Sequence, residues 1–161
     1  MIVEHCTFLP QVFRRGNYEN YTAYWHAICN EILNHVVGLS FHGKTIRLQH
    51  PENHKTIWHI ITKNGNDSTG QRYIDNSRAE HVPWIYFLLS ENCDPCDNFI
   101  VWKKRHKGSI RWCVYCPKER YLVVLEERGK IELILITAFN VTPQRDIELL
   151  KDYRNYIKYG I

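Results

Sequence analysis

Four cysteines have the most specific spacing in the chain. Cys93 and Cys96 (CDPC) precede Cys113 and Cys116 (CVYC) as C-x2-C, sixteen residues, C-x2-C, which falls in the range of a tetrahedral zinc–thiolate site. Four protein ligands leave no position for water, so a zinc ion there is structural and not catalytic. Two other readings stay open: small buried thiols on strands, or disulfides in an exported protein. Cys6 and Cys29 fall outside the quartet and read as ordinary thiols. Nine histidines are present, with no H-E-x-x-H spacing to suggest a zinc hydrolase. His59 stands out because it lies between Trp58 and Ile60, where a purely structural residue would be apolar, and imidazole titrates nearest neutrality. The alternative is a satisfied, semi-buried histidine. Arg72 and Arg78 carry planar forks suited to a phosphate, or are simply solvated. Lys103, Lys104, Arg105, Lys107 and Arg111 form a basic run, fit for contacts to a nucleic-acid backbone or equally for a solvated face.

The elements that must position these groups follow from periodicity. Over residues 18–37, Tyr21, Trp25, Ile28, Ile32, Leu33 and Val36 recur at helical intervals, and Gly38 can end that helix. Residues 44–49 form a short extended piece. TIWHIIT (56–62) is rich in β-branched and aromatic residues and reads as a strand. KNGNDSTGQ (63–71) reads as a loop, and 77–92 as a helix kinked or restarted at Pro83. In the C-terminal half, FIVWKKR, the turn HKG, SIRWCVYC, YLVVLEE, the turn RGK and IELILITAF describe an antiparallel meander. Pairing around HKG sets Val101 opposite Cys113 and Asn98 opposite Cys116, which gathers the four sulfurs at the open end of one hairpin. Thr142 and Pro143 then start a final helix with a stripe of Ile147, Leu150, Tyr153 and Ile157.

The 161 residues fit one domain, and a hydrophobic share of 44% supplies a core. The net charge of +4 suits a polyanionic partner but also describes many enzymes. The aromatic side chains can stack bases or fill the core, and core filling is favoured for most. MIVEHCTFLPQVFRRG lacks a secretory pattern, and the apolar runs YLVVL and LILITAF are far shorter than the roughly 20 residues that span a bilayer. The expectation is a soluble, cytoplasmic protein without a membrane partner.

HVPWI (81–85), IVWKKRHKGSIRWCV (100–114), YLVVLEERG (121–129) and LITAFNVTPQRDIELLKDY (135–153), in that order after the histidine segment, resemble phage-associated nucleases of the superfamily that joins barnase, endoribonuclease U, ribonuclease colicins and RelE toxins. The likeness covers roughly two-thirds of the chain. It implies an α+β fold in which N-terminal helices pack on a four-stranded antiparallel β-meander closed by a C-terminal helix. Residues 1–54 then form a helical N-terminal part and 55–161 a nuclease-like core. The cysteine quartet departs from that family pattern.

The activity implied is metal-independent endoribonuclease action of the toxin type, in which the 2′-hydroxyl attacks to leave a 2′,3′-cyclic phosphate. Such cleavage needs a base, an acid and cations around the phosphorane. His59 supplies a proton function, and Arg72 and Arg78 the cations. The family pattern adds Thr137, whose hydroxyl can donate to a phosphate oxygen, although a β-branched strand former is the plainer account. The implied partners are an RNA substrate and an antitoxin or immunity protein. Two rivals stand beside this: a non-catalytic zinc-ribbon-like module that binds nucleic acid through the basic hairpin, and a protein-interaction domain.

Overall fold

A computed structural model describes residues 11–50, 54–65, 69–90 and 99–161. After a short turn at Arg15–Asn17, helix α1 (Tyr21–Glu31) begins where the Asn20 side chain accepts from the Ala23 N–H at 2.8 Å. It continues as a π-helical turn, Ile32–Val36, and stops at Gly38, whose φ of 88° suits glycine. Strands β1 (Ser40–Phe41) and β2 (Lys44–Arg47) form a tight hairpin through His42 and Gly43. Helix α2 (Lys55–Ile61), strands β3 (Thr62–Asn64) and β4 (Arg72–Ile74), and helices α3 (Asn76–Glu80) and α4 (Val82–Leu89) follow. The chain then forms β5 (Ile100–His106), β6 (Ser109–Cys116), β7 (Tyr121–Arg128), β8 (Glu132–Asn140) and helix α5 (Pro143–Tyr159).

The class is α+β, but the architecture differs from the four-stranded antiparallel meander expected. The main sheet has six strands in the order β1-β2-β8-β7-β6-β5, is mixed and curls into a half-barrel, and β3 and β4 form a separate pair. β5 to β8 are antiparallel neighbours, but β2 adds to their edge in parallel, with Thr45 beside Glu132 and Arg47 beside Ile134. A four-residue strand of sequence KTIR has too little alternation to announce that pairing.

TIWHII (56–61) is helix and not strand, and Thr62 begins β3. Thr56, Ile57, Ile60 and Ile61 are buried while Trp58 and His59 are exposed, which is the period of a helix face. Burial of that face against the sheet outweighs the weak strand preference of isoleucine and threonine. The expected 63–71 loop is shorter, since Lys63 and Asn64 pair with Tyr73 and Arg72. Pro83 does restart the helix after α3, at the second residue of α4. In α5 the face turned inward carries Leu149, Leu150, Tyr153 and Tyr156, whereas Ile147 and Ile157 of the expected stripe are exposed.

The sheet is buried on both sides, unequally. Ile28, Ile32, Ile57, Ile60, Ile85 and Leu88 from the helices meet Trp112, Val114, Val123, Leu125, Leu133 and Leu135 in the larger cluster. On the other side Leu149 and its α5 neighbours cover Trp102, Cys113, Tyr115, Leu122 and Val124. The Tyr115 hydroxyl donates to the Asp146 carboxylate in the first turn of α5. Among the described residues no helix is long and apolar enough to cross a membrane.

Candidate active site

The β5–β6 turn decides which way the hairpin side chains face. It has two residues, Lys107 and Gly108, with φ of 46° and 82°, and pairs His106 with Ser109. A longer turn through His106 would shift the register by one residue. The observed pairs are Val101 with Val114 and Trp102 with Cys113. Cys113 therefore packs with Trp102 and Leu149, and Cys116 belongs to the cluster on the opposite face. Residues three apart in an unbroken strand point to opposite sides of a sheet, and Cys113 and Cys116 do so here. Cys93 and Cys96 lie outside the described residues. Among the described residues no three metal-ligating side chains cluster. Burial raises the thiols of Cys113 and Cys29 to about 11.

Alternation places Lys104 of β5, Arg111 of β6, Glu126 of β7 and Arg47 of β2 on the α5 side of the sheet. They form a charged row beside the patch that α5 covers. Arg111 Nε donates to Glu126 Oε2 at 3.1 Å, Lys104 Nζ stands 3.5 Å from Asp152 of α5, and Arg47 Nε meets Glu132 at 3.3 Å. Opposed charges across strands hold the row in place. Next to it Val124 and Leu125 face Thr137 and Leu135, which leaves Ile136 as the extra residue of a bulge.

Where β2 ends, α2 takes its place along β8 and overhangs this row. Between them lies a cleft of about 480 Å3 whose walls include Lys55, Trp58 and His59 of α2, His50 before it, Arg72 of β4, and Arg111 and Glu126 of the sheet. His59 and Arg72, singled out in the sequence, thus meet, and Arg111 joins them from the basic hairpin. Glu126, His50 and Lys55 are the cleft residues that sequence reasoning missed. They sit in three separate segments, and only the strand register and the position of α2 unite them.

Arg72 is less free than a phosphate clamp would be. Its Nε donates to Thr62 Oγ1 at 2.8 Å, Nη1 to Asn64 Oδ1 at 3.0 Å, and Nη2 to the carbonyls of Thr62 and His59 at 2.7 and 3.2 Å. A guanidinium has five N–H donors, and four of them are taken by partners among the described residues. Arg78 Nη1 also donates to the Thr62 carbonyl, at 2.9 Å, and its guanidinium lies 5.0 Å from the Phe139 ring centre. Both arginines satisfy carbonyls that the end of α2 leaves unpaired. Their further effect falls on His59, whose pKa is pushed below the usual histidine value by partial burial first and then by the charges of Arg72 and Arg78.

Arg78 and Thr137 do not line the cleft. Thr137 sits half-buried opposite Val124. The basic hairpin is divided: Lys103 lies 4.3 Å from the Trp112 ring centre and 3.8 Å from Glu127, Arg105 and Lys107 are exposed, and Lys104 is held by α5. No family model, curated protein or solved structure matches this chain.

Proposed function

We propose that the chain is a metal-independent endoribonuclease working in the cleft between α2 and the charged row. The observation that carries this reading is one concave site holding two histidines, three basic side chains and a carboxylate. These are the groups that 2′-hydroxyl attack on a phosphodiester needs.

The lowered pKa of His59 keeps its imidazole neutral near pH 7 and so able to accept the 2′-hydroxyl proton. The freed 2′-oxygen attacks phosphorus, and the 5′-oxygen departs with a proton from an acid, a role His50 has the chemistry to fill. Lys55, Arg111 and Arg72, cations of the same cleft, would answer the charge that develops on the phosphorane. Glu126 orients Arg111. The product ends in a 2′,3′-cyclic phosphate. No step of this reading runs through zinc.

The likeness to the barnase, endoribonuclease U, colicin and RelE superfamily belongs to the same proposal, as do a toxin role, a cytoplasmic location and an acidic antitoxin or immunity partner. The test is incubation of the parent and His59→Ala with transfer RNA in excess EDTA. The parent is expected to release cyclic-phosphate fragments and the variant to be slower by about 10²- to 10⁴-fold, the usual weight of general base catalysis. Equal rates would remove His59 from the chemistry, and intact RNA with both would end the nuclease reading.

A further inference from the structure

Beside the charged cleft lies a second hollow of about 240 Å3, lined by Tyr21, Tyr24, Trp25 and Ile28 of α1, Trp58 and Ile61 of α2, and Ile74 of β4. Trp58 belongs to the walls of both hollows. Its ring meets Trp25 edge-on, with centroids 5.9 Å apart at 76°, and His54 braces Trp25 from a centroid distance of 6.4 Å. Trp58 and Tyr21 are 41% and 60% exposed, which is large for rings that could have been buried with the rest of α1 and α2. The Arg15 guanidinium lies 4.2 Å from the Tyr21 ring centre. An aromatic hollow adjoins a cationic one, with a single indole as their shared wall.

That pairing matches a nucleotide, which joins a flat apolar base to an anionic phosphate. We infer that the hollow is a base-stacking subsite, which takes an unpaired base next to the phosphate held in the cleft and so restricts the substrate to single-stranded or looped RNA. The inference rests on the endoribonuclease reading and adds its substrate class. A base in a duplex is already stacked and paired, and its faces are closed to an indole. Stacking accepts any base, because each has a π-face, so the subsite selects for unpaired structure more than for sequence.

The test uses a labelled 2′-O-methyl trinucleotide, uncleavable because its attacking hydroxyl is capped, and an abasic trimer of equal charge. Fluorescence anisotropy follows binding to the parent, Trp58→Ala and Trp58→Phe. Base-bearing trimer should bind the parent about five- to one-hundred-fold tighter than the abasic one, the weight of one base–aromatic stack. Trp58→Ala should abolish that difference by weakening the base-bearing trimer, and Trp58→Phe should keep most of it. A fully paired duplex should not displace the trimer. Equal binding of the two trimers, no binding of either, or equal weakening of both by Trp58→Ala overturns the subsite. Parallel assays on transfer RNA separate the two ideas. Cleavage that ignores Trp58→Ala sinks the subsite and spares the enzyme, whereas Trp58-dependent binding without cleavage sinks the enzyme and spares the subsite.

Discussion

The two faces of the sheet are covered very differently. Helices from the first half of the chain blanket one face, and residues as large as Ile57, Ile60, Ile85 and Phe41 are wholly buried there. Among the described residues α5 is the helix packed on the other face, and beyond its edge the strands carry Lys104, Arg111, Glu126 and Arg47. One face is closed over, and the other leaves its charges partly open to solvent.

The contrast breaks or holds under substitution. Ile60→Ala, made where helix and sheet both press on the side chain, should cost about 4 kcal/mol in urea denaturation, toward the upper end for a cavity that cannot collapse. Leu149→Ala should cost about 2–3 kcal/mol, because a lone helix can settle into the space. Equal losses would mean that the α5 face is as firmly packed as its opposite. Arg111→Met leaves Glu126 half-buried without its partner, and a stability loss of about 1 kcal/mol is expected. In the proposed enzyme the same change should slow RNA cleavage more than tenfold, and an unaltered rate would leave the pair a merely structural one. The smallest effect concerns pH. The folded-state pKa of His59 is lowered, so the unfolded chain takes up the proton first. Stability is therefore full above the ordinary value of 6.5 and falls as pH drops from there to the lower folded value. His59→Gln should lose less stability than the parent between about pH 7.5 and about pH 5, and parallel losses would contradict the shift.

The same contrast explains what the sequence made legible. β5 to β8 are long, alternate clearly and turn at Lys107–Gly108 and beside Gly129, so their order could be read directly. The segment 56–62 misled because isoleucine and threonine favour strands locally, while the choice of helix was made by the β8 edge that the segment covers. Yet His59 was visible through that error, since a titratable ring amid apolar residues is conspicuous in either structure. Glu126, His50 and Lys55 sent no such signal. Each is an ordinary polar residue until β2 docks on β8 and carries the next segment across the sheet. The cysteine spacing was ambiguous because C-x2-C reads alike in a loop, where both thiols can turn to one side, and in a strand, where residues three apart face opposite sides.

The parallel seam between β2 and β8 joins Thr45 to Glu132, and this has a consequence for the order of events during synthesis. A ribosome delivers β2 and α2 early but cannot complete their docking until β8 has cleared the exit tunnel, because the template is not yet made. The residues of the α2 wall thus wait, beside the machinery translating them, for the strand that completes their site. A chain whose proposed target is RNA would remain harmless to its own messenger until β8 emerged.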